Sequence, residues 1–279
     1  MHNILKHTAV LLLVLAACSL ALAQNPTSDK VTVPLSDPSR PAFLKAGLIN
    51  GSITVTGYSG KDVIVEARVR NDGDDESSAE KSEKIKGLKR ITNTSTGLSI
   101  EEENNEVHVS LGRFTGTIDL EIQVPTNTSM KLSTINDGRI DVSKVNGDLE
   151  ASNTNGPITL KDISGSSVVD ALNGDITVTF TSIDTKKSMS FSSLNGNIDV
   201  TFPPDLKAKL RLKDDQGEIY SDFDMKMENA NTKVEENQKS SRGKYQVRVD
   251  KAMIATINGG GQEIQLKNFN GDIYIRSRK

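Results

Sequence analysis

Between residues 138 and 174 glycine returns every nine residues, at Gly138, Gly147, Gly156, Gly165 and Gly174. Nine residues is the length of one short strand and one corner, so this interval constrains the fold more than any other feature of the chain. Around most of these glycines one phrase recurs: an apolar residue, Asn-Gly or a close relative, any residue, Ile or Leu, a polar residue, then Val or another apolar residue. Its clearest copies are Ile49-Asn50-Gly51-Ser52-Ile53-Thr54-Val55, Leu172-Asn173-Gly174-Asp175-Ile176-Thr177-Val178 and Leu194-Asn195-Gly196-Asn197-Ile198-Asp199-Val200. A further copy is Phe269-Asn270-Gly271-Asp272-Ile273-Tyr274-Ile275, and Asn146-Gly147 and Asn155-Gly156 mark additional corners.

Asn and Gly tolerate positive φ where a chain must turn, and the Ile-x-Val after each corner alternates between two faces. One face turns inward, with Ile140, Val142, Leu149, Ile158, Leu160, Val169, Ile176 and Val178; Asp141, Glu150, Thr159, Asp170 and Thr177 face water. Asn-Gly is also the strongest two-residue hairpin signal, so an antiparallel meander competes with a solenoid. A strict period over five corners favours the solenoid, because each coil buries its apolar side only against its neighbours. The expected fold is therefore all-β: a single-stranded β-helix or β-solenoid of short strands with Asn-Gly corners. About nine residues per side stack Ile140, Ile158 and Ile176 along one wall.

The flanks read differently. Residues 1–23 have the form of a signal peptide, with Lys6 and His7, an apolar stretch too short to span a membrane, and Ala21-Leu22-Ala23 before the polar Gln24. Leu15-Ala16-Ala17-Cys18 offers a second processing site, at which Cys18 would carry lipid. Residues 24–47, with Pro26, Pro34, Pro38 and Pro41, suit an extended leader acting as a tether or an edge-covering strand. The repeat domain is expected over 48–279, with charged excursions at 71–89, where 80–88 suits a short helix, and at 225–244. Ile118, Leu120, Ile122 and Val124 form an alternating strand stopped by Pro125, expected just before the regular coils.

Several landmarks resemble, in order and in type, those of the bacterial putative-adhesin family of envelope β-strand-repeat proteins, a domain of unknown function. They are Ile122-Gln123-Val124-Pro125 followed by Met130-Lys131-Leu132, the Asn-Gly series, Phe202-Pro203-Pro204, and Ile257-Asn258-Gly259-Gly260-Gly261 with Asn270-Gly271-Asp272-Ile273. The resemblance covers roughly 48–279. It implies a β-helix-like stack, export to the cell envelope, a role in adhesion or surface interaction, and no catalytic residues. The two charged excursions depart from the family's pattern.

The residues offer little chemistry. Of three histidines, His2 and His7 lie in the signal, and His108 sits in the alternating Glu106-Val107-His108-Val109-Ser110 as a surface residue. A histidine or cysteine metal site lacks ligands, and a nucleophile lacks a base. Outward acids such as Asp141, Glu150, Asp170, Asp175 and Asp199 are the material of a glycoside-cleaving pair, but outward acids also keep strands soluble. Asn-Gly-Asp at 146–148, 173–175 and 270–272 lacks the second glycine of calcium-binding rolls. A net charge of −3, no tryptophan and 4% aromatics speak against nucleic acid.

The expected function is thus that of a non-enzymatic exported surface module without cofactor. Its partner would be a surface polymer or protein, and it would meet a membrane only if lipidated at Cys18. A periplasmic envelope-stress or signalling partner is the alternative, and a polysaccharide-active enzyme the third reading. Arg276-Ser277-Arg278-Lys279 suits a charged guard on the last strand, which points to a monomer. Intact mass of the protein from its native envelope is expected to give a chain starting at Gln24; a start at a lipid-bearing Cys18 makes it a tethered protein.

Overall fold

The computed structural model describes residues 28–70, 96–112, 116–228, 234–237, 246–249 and 252–279. The expected signal segment with Cys18, the excursion 71–89 and most of 225–244 lie outside the described residues. No helix occurs among those described.

The first strands are β1 (Ser28–Pro34), β2 (Ala42–Asn50), β3 (Ile53–Tyr58), β4 (Asp62–Arg70), β5 (Leu98–Glu103), β6 (Glu106–Leu111), β7 (Thr117–Pro125) and β8 (Thr128–Asn136). The regular stretch supplies β9 (Ile140–Ser143), β10 (Leu149–Asn155), β11 (Ile158–Gly165), β12 (Ser167–Asn173), β13 (Ile176–Ile183), β14 (Met189–Asn195) and β15 (Ile198–Phe202). Then come β16 (Ala208–Asp214), β17 (Ile219–Ser221), β18 (Met225–Glu228), β19 (Val234–Asn237), β20 (Gln246–Val249), β21 (Met253–Ile257), β22 (Gln262–Asn268) and β23 (Ile273–Ser277).

From β6 to β18 consecutive strands do not pair; they alternate between two sheets. The ten-stranded sheet runs β1-β4-β7-β3-β9-β11-β13-β15-β23-β17 and the eleven-stranded sheet runs β18-β21-β16-β22-β14-β12-β10-β8-β2-β6-β5. Pairing through the middle of both is parallel and in register, apart from a bulge in β11 after Leu160. The chain therefore steps from one sheet to the other at every corner, which excludes a meander there. Ile53, Ile140, Ile158, Ile176, Ile198, Ile273 and Ile219 stand side by side on successive strands. The first six of these are fully buried. In-register pairing sets like side chains one strand spacing apart, about 4.8 Å, so β-branched residues nest in a continuous row. Phe180, Phe191 and Phe202 are fully buried together in the core, with Phe180 stacked on Phe202 at 5.4 Å and Phe191 edge-on to both.

The glycines serve this stacking more than they serve the turn. A Cβ on Gly138 would lie 1.9 Å from the carbonyl oxygen of Gly51, one on Gly156 2.0 Å from that of Gly138, and one on Gly174 2.1 Å from that of Gly156. Gly51 and Gly196 do have positive φ, but Gly138 and Gly174 do not, and none of the asparagines of the Asn-Gly corners does. The shared requirement is close approach of one coil's backbone to the next, and positive φ is local.

The ends depart from simple winding. β2–β3 lies between β6–β7 and β8–β9, and β22–β23 lies between β14–β15 and β16–β17. The strand ending at Pro125 is thus β7, one layer beyond the expected place beside the regular coils, because β3 takes that place. Antiparallel pairs flank both ends: β1 with β4, β4 with β7, β5 with β6, β21 with β16 and with β18. Strand alternation begins at Ala42 within the segment 24–47, and Ala42, Leu44, Ala46 and Leu48 are buried. No Asn-Gly phrase precedes β2, so its small apolar residues gave no sequence signal. β1 lies at the sheet edge, and β23 is interior, so its basic residues guard no edge; β17 occupies it.

Two substitutions test this packing by chemical denaturation. Ile176→Asp is expected to lose several kcal/mol by burying an unpaired carboxylate. Gly174→Ala is expected to lose about 1–3 kcal/mol from overpacking against the Gly156 carbonyl, although its φ suits alanine.

Candidate functional site

The corner asparagines form a ladder of side-chain amides. Asn136 Nδ2 donates to Asn50 Oδ1 at 3.4 Å, Asn155 to Asn136 at 2.9 Å and Asn173 to Asn155 at 2.9 Å. Asn195 donates to Asn173 at 2.7 Å and Asn270 to Asn195 at 2.8 Å. In each rung one residue's amide donates to the carbonyl of the next, an arrangement that in-register stacking makes available. Asn146-Gly147 sits at the opposite corner, where Asn146 Nδ2 donates to Asn127 Oδ1 at 3.1 Å and Ser164 Oγ donates to Asn146 Oδ1 at 2.8 Å. The nine-residue period thus interleaves two corner lines.

Two residues before most of the first-line asparagines stands a buried polar side chain that the sequence did not reveal. Thr134 Oγ1 donates to Gly51 O, Asn153 Nδ2 to Gly138 O, Ser193 Oγ to Gly174 O, and Asn268 Nδ2 to Gly196 O. They satisfy the carbonyls that the glycine stacking traps between coils. The only available signal was a polar residue at an inward position of an otherwise apolar alternation.

The acids do not converge. Asp141 pairs with Arg139 at 2.6 Å and Asp199 with Arg276 at 2.9 Å on the ten-stranded sheet, and Asp175 accepts the Asn197 N–H at 2.7 Å at a corner. Glu150 and Asp170 share the eleven-stranded sheet, where Glu150 pairs with Lys131 at 2.5 Å. His108 is exposed on β6. Of the Asn-Gly-Asp acids, Asp148 accepts from Ser166 and pairs with Lys187 at 2.6 Å, while Asp272 accepts from the Glu218 N–H and from Tyr274 Oη. Burial opposes the ionisation of Asp148, but Lys187 and Ser166 hold its carboxyl below the usual range.

What the eleven-stranded sheet does bring together lies on its outer face. The residue just before each first-line asparagine points outward, so Ile49, Ile135, Leu172, Leu194 and Phe269 stand exposed, the last three at 45%, 41% and 40%. These apolar members of the repeated phrase carry no core; strict alternation from Val169 puts Leu172 on the same face as Asp170. One step back along the strands runs a low row of Gly47, Ser133, Ser152, Asp170 and Ser192, continued by Lys267 and Lys213. Between the rows lies a groove of about 870 Å³ bounded by Leu172, Leu194 and Phe269 and by Arg211, Lys213 and Lys267. Asp170 sits low in it. Partial desolvation, reinforced by the charge of Glu150, pushes its carboxyl above the usual range against the pull of Ser192 and Lys267.

On the opposite sheet Tyr220 and Tyr274 stack at 5.3 Å, with the Arg276 guanidinium 5.1 Å from the Tyr274 ring centre. A hydrogen bond from Tyr220 to Glu218, with that carboxylate's charge, pushes the Tyr220 phenol up to about 12.

Two sheets, parallel through their middle, joined at stacked glycine corners and bearing an open outer groove, define an all-β stacked-coil module. The chain belongs to the family described as Toastrack DUF4097, whose model matches residues 134–276. No curated protein matches it. Among solved structures it is similar to a putative cell adhesion protein from Clostridium sporogenes at 10% identity, covering 90% of this chain and 100% of that one with a TM-score of 0.36. A putative adhesin from Bacteroides fragilis also has 10% identity, covering 90% and 97% with a TM-score of 0.30.

The groove carboxylate gives a signed test. A folded pKa raised above the unfolded one means stability is full below the unfolded value near 4 and falls as pH rises through the folded value. Asp170→Asn is therefore expected to raise the urea midpoint at pH 7 and to leave it unchanged near pH 3. Asn173→Ala, which breaks two rungs of the ladder, is expected to lower stability by about 1–2 kcal/mol at either pH.

Proposed function

We propose that this protein is an exported, non-enzymatic interaction module of a bacterial cell envelope, adhesive in type, whose binding face is the groove on the eleven-stranded sheet. Its scaffold is a single-stranded β-helix with Asn-Gly corners, and its role is to hold a periodic surface rigid. The carrying observation is the row of aliphatic and aromatic side chains kept outside the core beside three cations. Exposed apolar residues that line up along a rigid wall, rather than scatter singly, mark an interaction surface. Rigidity of the floor lowers the ordering cost of binding, because the coil-to-coil ladders fix the side chains' anchor points beforehand.

The groove differs electrostatically from the rest of the chain. Arg211, Lys213 and Lys267 outnumber Asp170 and Asp215 along it, in a chain of net charge −3. That local excess suits an anionic surface polymer or protein.

The mature protein is expected to bind the envelope fraction of its own cells in a pull-down. The double substitution Leu172→Glu with Leu194→Glu, at exposed positions that leave the fold intact, is expected to abolish that binding. Binding that survives this change and disappears on deletion of 71–89 places the contact in the excursion and rejects the groove.

A further inference from the structure

The groove runs across the strands, along the axis of the stack. Leu172, Leu194 and Phe269 make one wall on the neighbouring strands β12, β14 and β22, at steps of about 4.8 Å. The parallel row, Asp170, Ser192, Lys267 and Lys213, lies two residues back along the same strands and on β16, about 7 Å away. A ligand lying between the rows therefore meets apolar surface on one side and, on the other, the Asp170 carboxyl followed by hydroxyl and ammonium groups.

Lys267 and Lys213 are only lightly engaged within the fold. Lys267 makes no ion pair with any described residue, and Lys213 reaches Asp215 only at 4.0 Å. Asp170 feels the charge of Lys267 across the groove floor but is held by Ser192 and makes no ion pair with it. An incoming carboxylate can thus take Lys267 without breaking an existing pair.

The other wall decides between classes of anion. Sugar rings are gripped by aromatic faces, and Phe269 is the single ring among the groove's lining residues; Leu172 and Leu194 instead offer aliphatic contact. An extended polypeptide sends successive side chains to opposite sides. A segment in which aliphatic and acidic residues alternate would direct one set to Leu172, Leu194 and Phe269 and the other to Lys267 and Lys213. Its backbone amides would lie over Ser152 and Ser192. Because same-side residues in such a chain repeat at about 7 Å while the coils repeat at about 4.8 Å, the match holds over a short segment only.

Resting on the groove as the binding face, we infer that its ligand is a short extended acidic segment of another polypeptide, with aliphatic side chains alternating with carboxylates. Such a contact uses only side chains of this protein and leaves the sheet edges unused.

The test uses the mature full-length protein and fluorescence anisotropy with a short labelled peptide of alternating leucine and glutamate, its glutamine analogue, and polygalacturonate as an anionic sugar. The leucine-glutamate peptide is expected to bind, and more weakly as salt rises. Replacing glutamate by glutamine, or Lys213 and Lys267 together by glutamine, is expected to weaken it about tenfold or more, as is Leu194→Ser. Thermal unfolding of each variant checks that the fold is retained. Equal affinity for the glutamine analogue overturns the inference, as does polygalacturonate binding that is indifferent to Leu194→Ser, which marks a sugar site. If the peptide does not bind but the same variants lose envelope binding, the ligand class falls and the groove stands. If envelope binding is also indifferent to them, both fall.

Discussion

The structure depends on one contact, the backbone of a glycine corner resting on the carbonyl of the corner beside it. With Gly174 and Gly196 seated on Gly156 and Gly174, neighbouring coils approach closely enough for their strands to pair without slippage. Everything periodic follows from that register. Isoleucines meet isoleucines along one wall, asparagine amides close a chain of rungs along the corners, and buried Thr134, Asn153, Ser193 and Asn268 take up carbonyls of the stacked glycines. A single residue of slip would turn each of these rows to the wrong face.

Much of this was legible in the sequence because it is repetitive. The interval of nine, the inward identity of Ile140, Ile158 and Ile176, and the outward identity of Glu150 and Asp170 all follow from period-two alternation anchored at a corner. What was hidden has physical causes. Corner chemistry looks the same whether glycine is needed for its φ or for its missing Cβ, and only the neighbouring coil tells them apart. β2 carries no corner phrase before it, so its alanines and leucines merged with a proline-rich flank. Lateral order was invisible as well, since alternation says which face a residue takes and nothing about which strand lies beside it.

The groove lay in plain view in the repeated phrase and was not singled out. Leu172, Leu194 and Phe269 belong to the repeated phrase and so look like core residues, yet their position after an inward residue turns them outward. A solenoid that spends its large apolar side chains on both faces has a second use for one of them. Here the outer row stands beside Lys267 and Lys213 on a floor of serines, and the floor is rigid because every strand beneath it is paired on both sides.

The interleaved ends give the molecule a fixed order of completion. β16 and β17 emerge from synthesis before β22 and β23, yet their parallel neighbours are those later strands. The earlier pair must wait while the later one slides into the gap beside β14 and β15. Long-range closure of this kind is slow relative to pairing of consecutive coils. It also acts as a lock: the coil of β22 and β23 is wedged between the coils of β14–β15 and β16–β17 and is held by strand pairing on both of its sides.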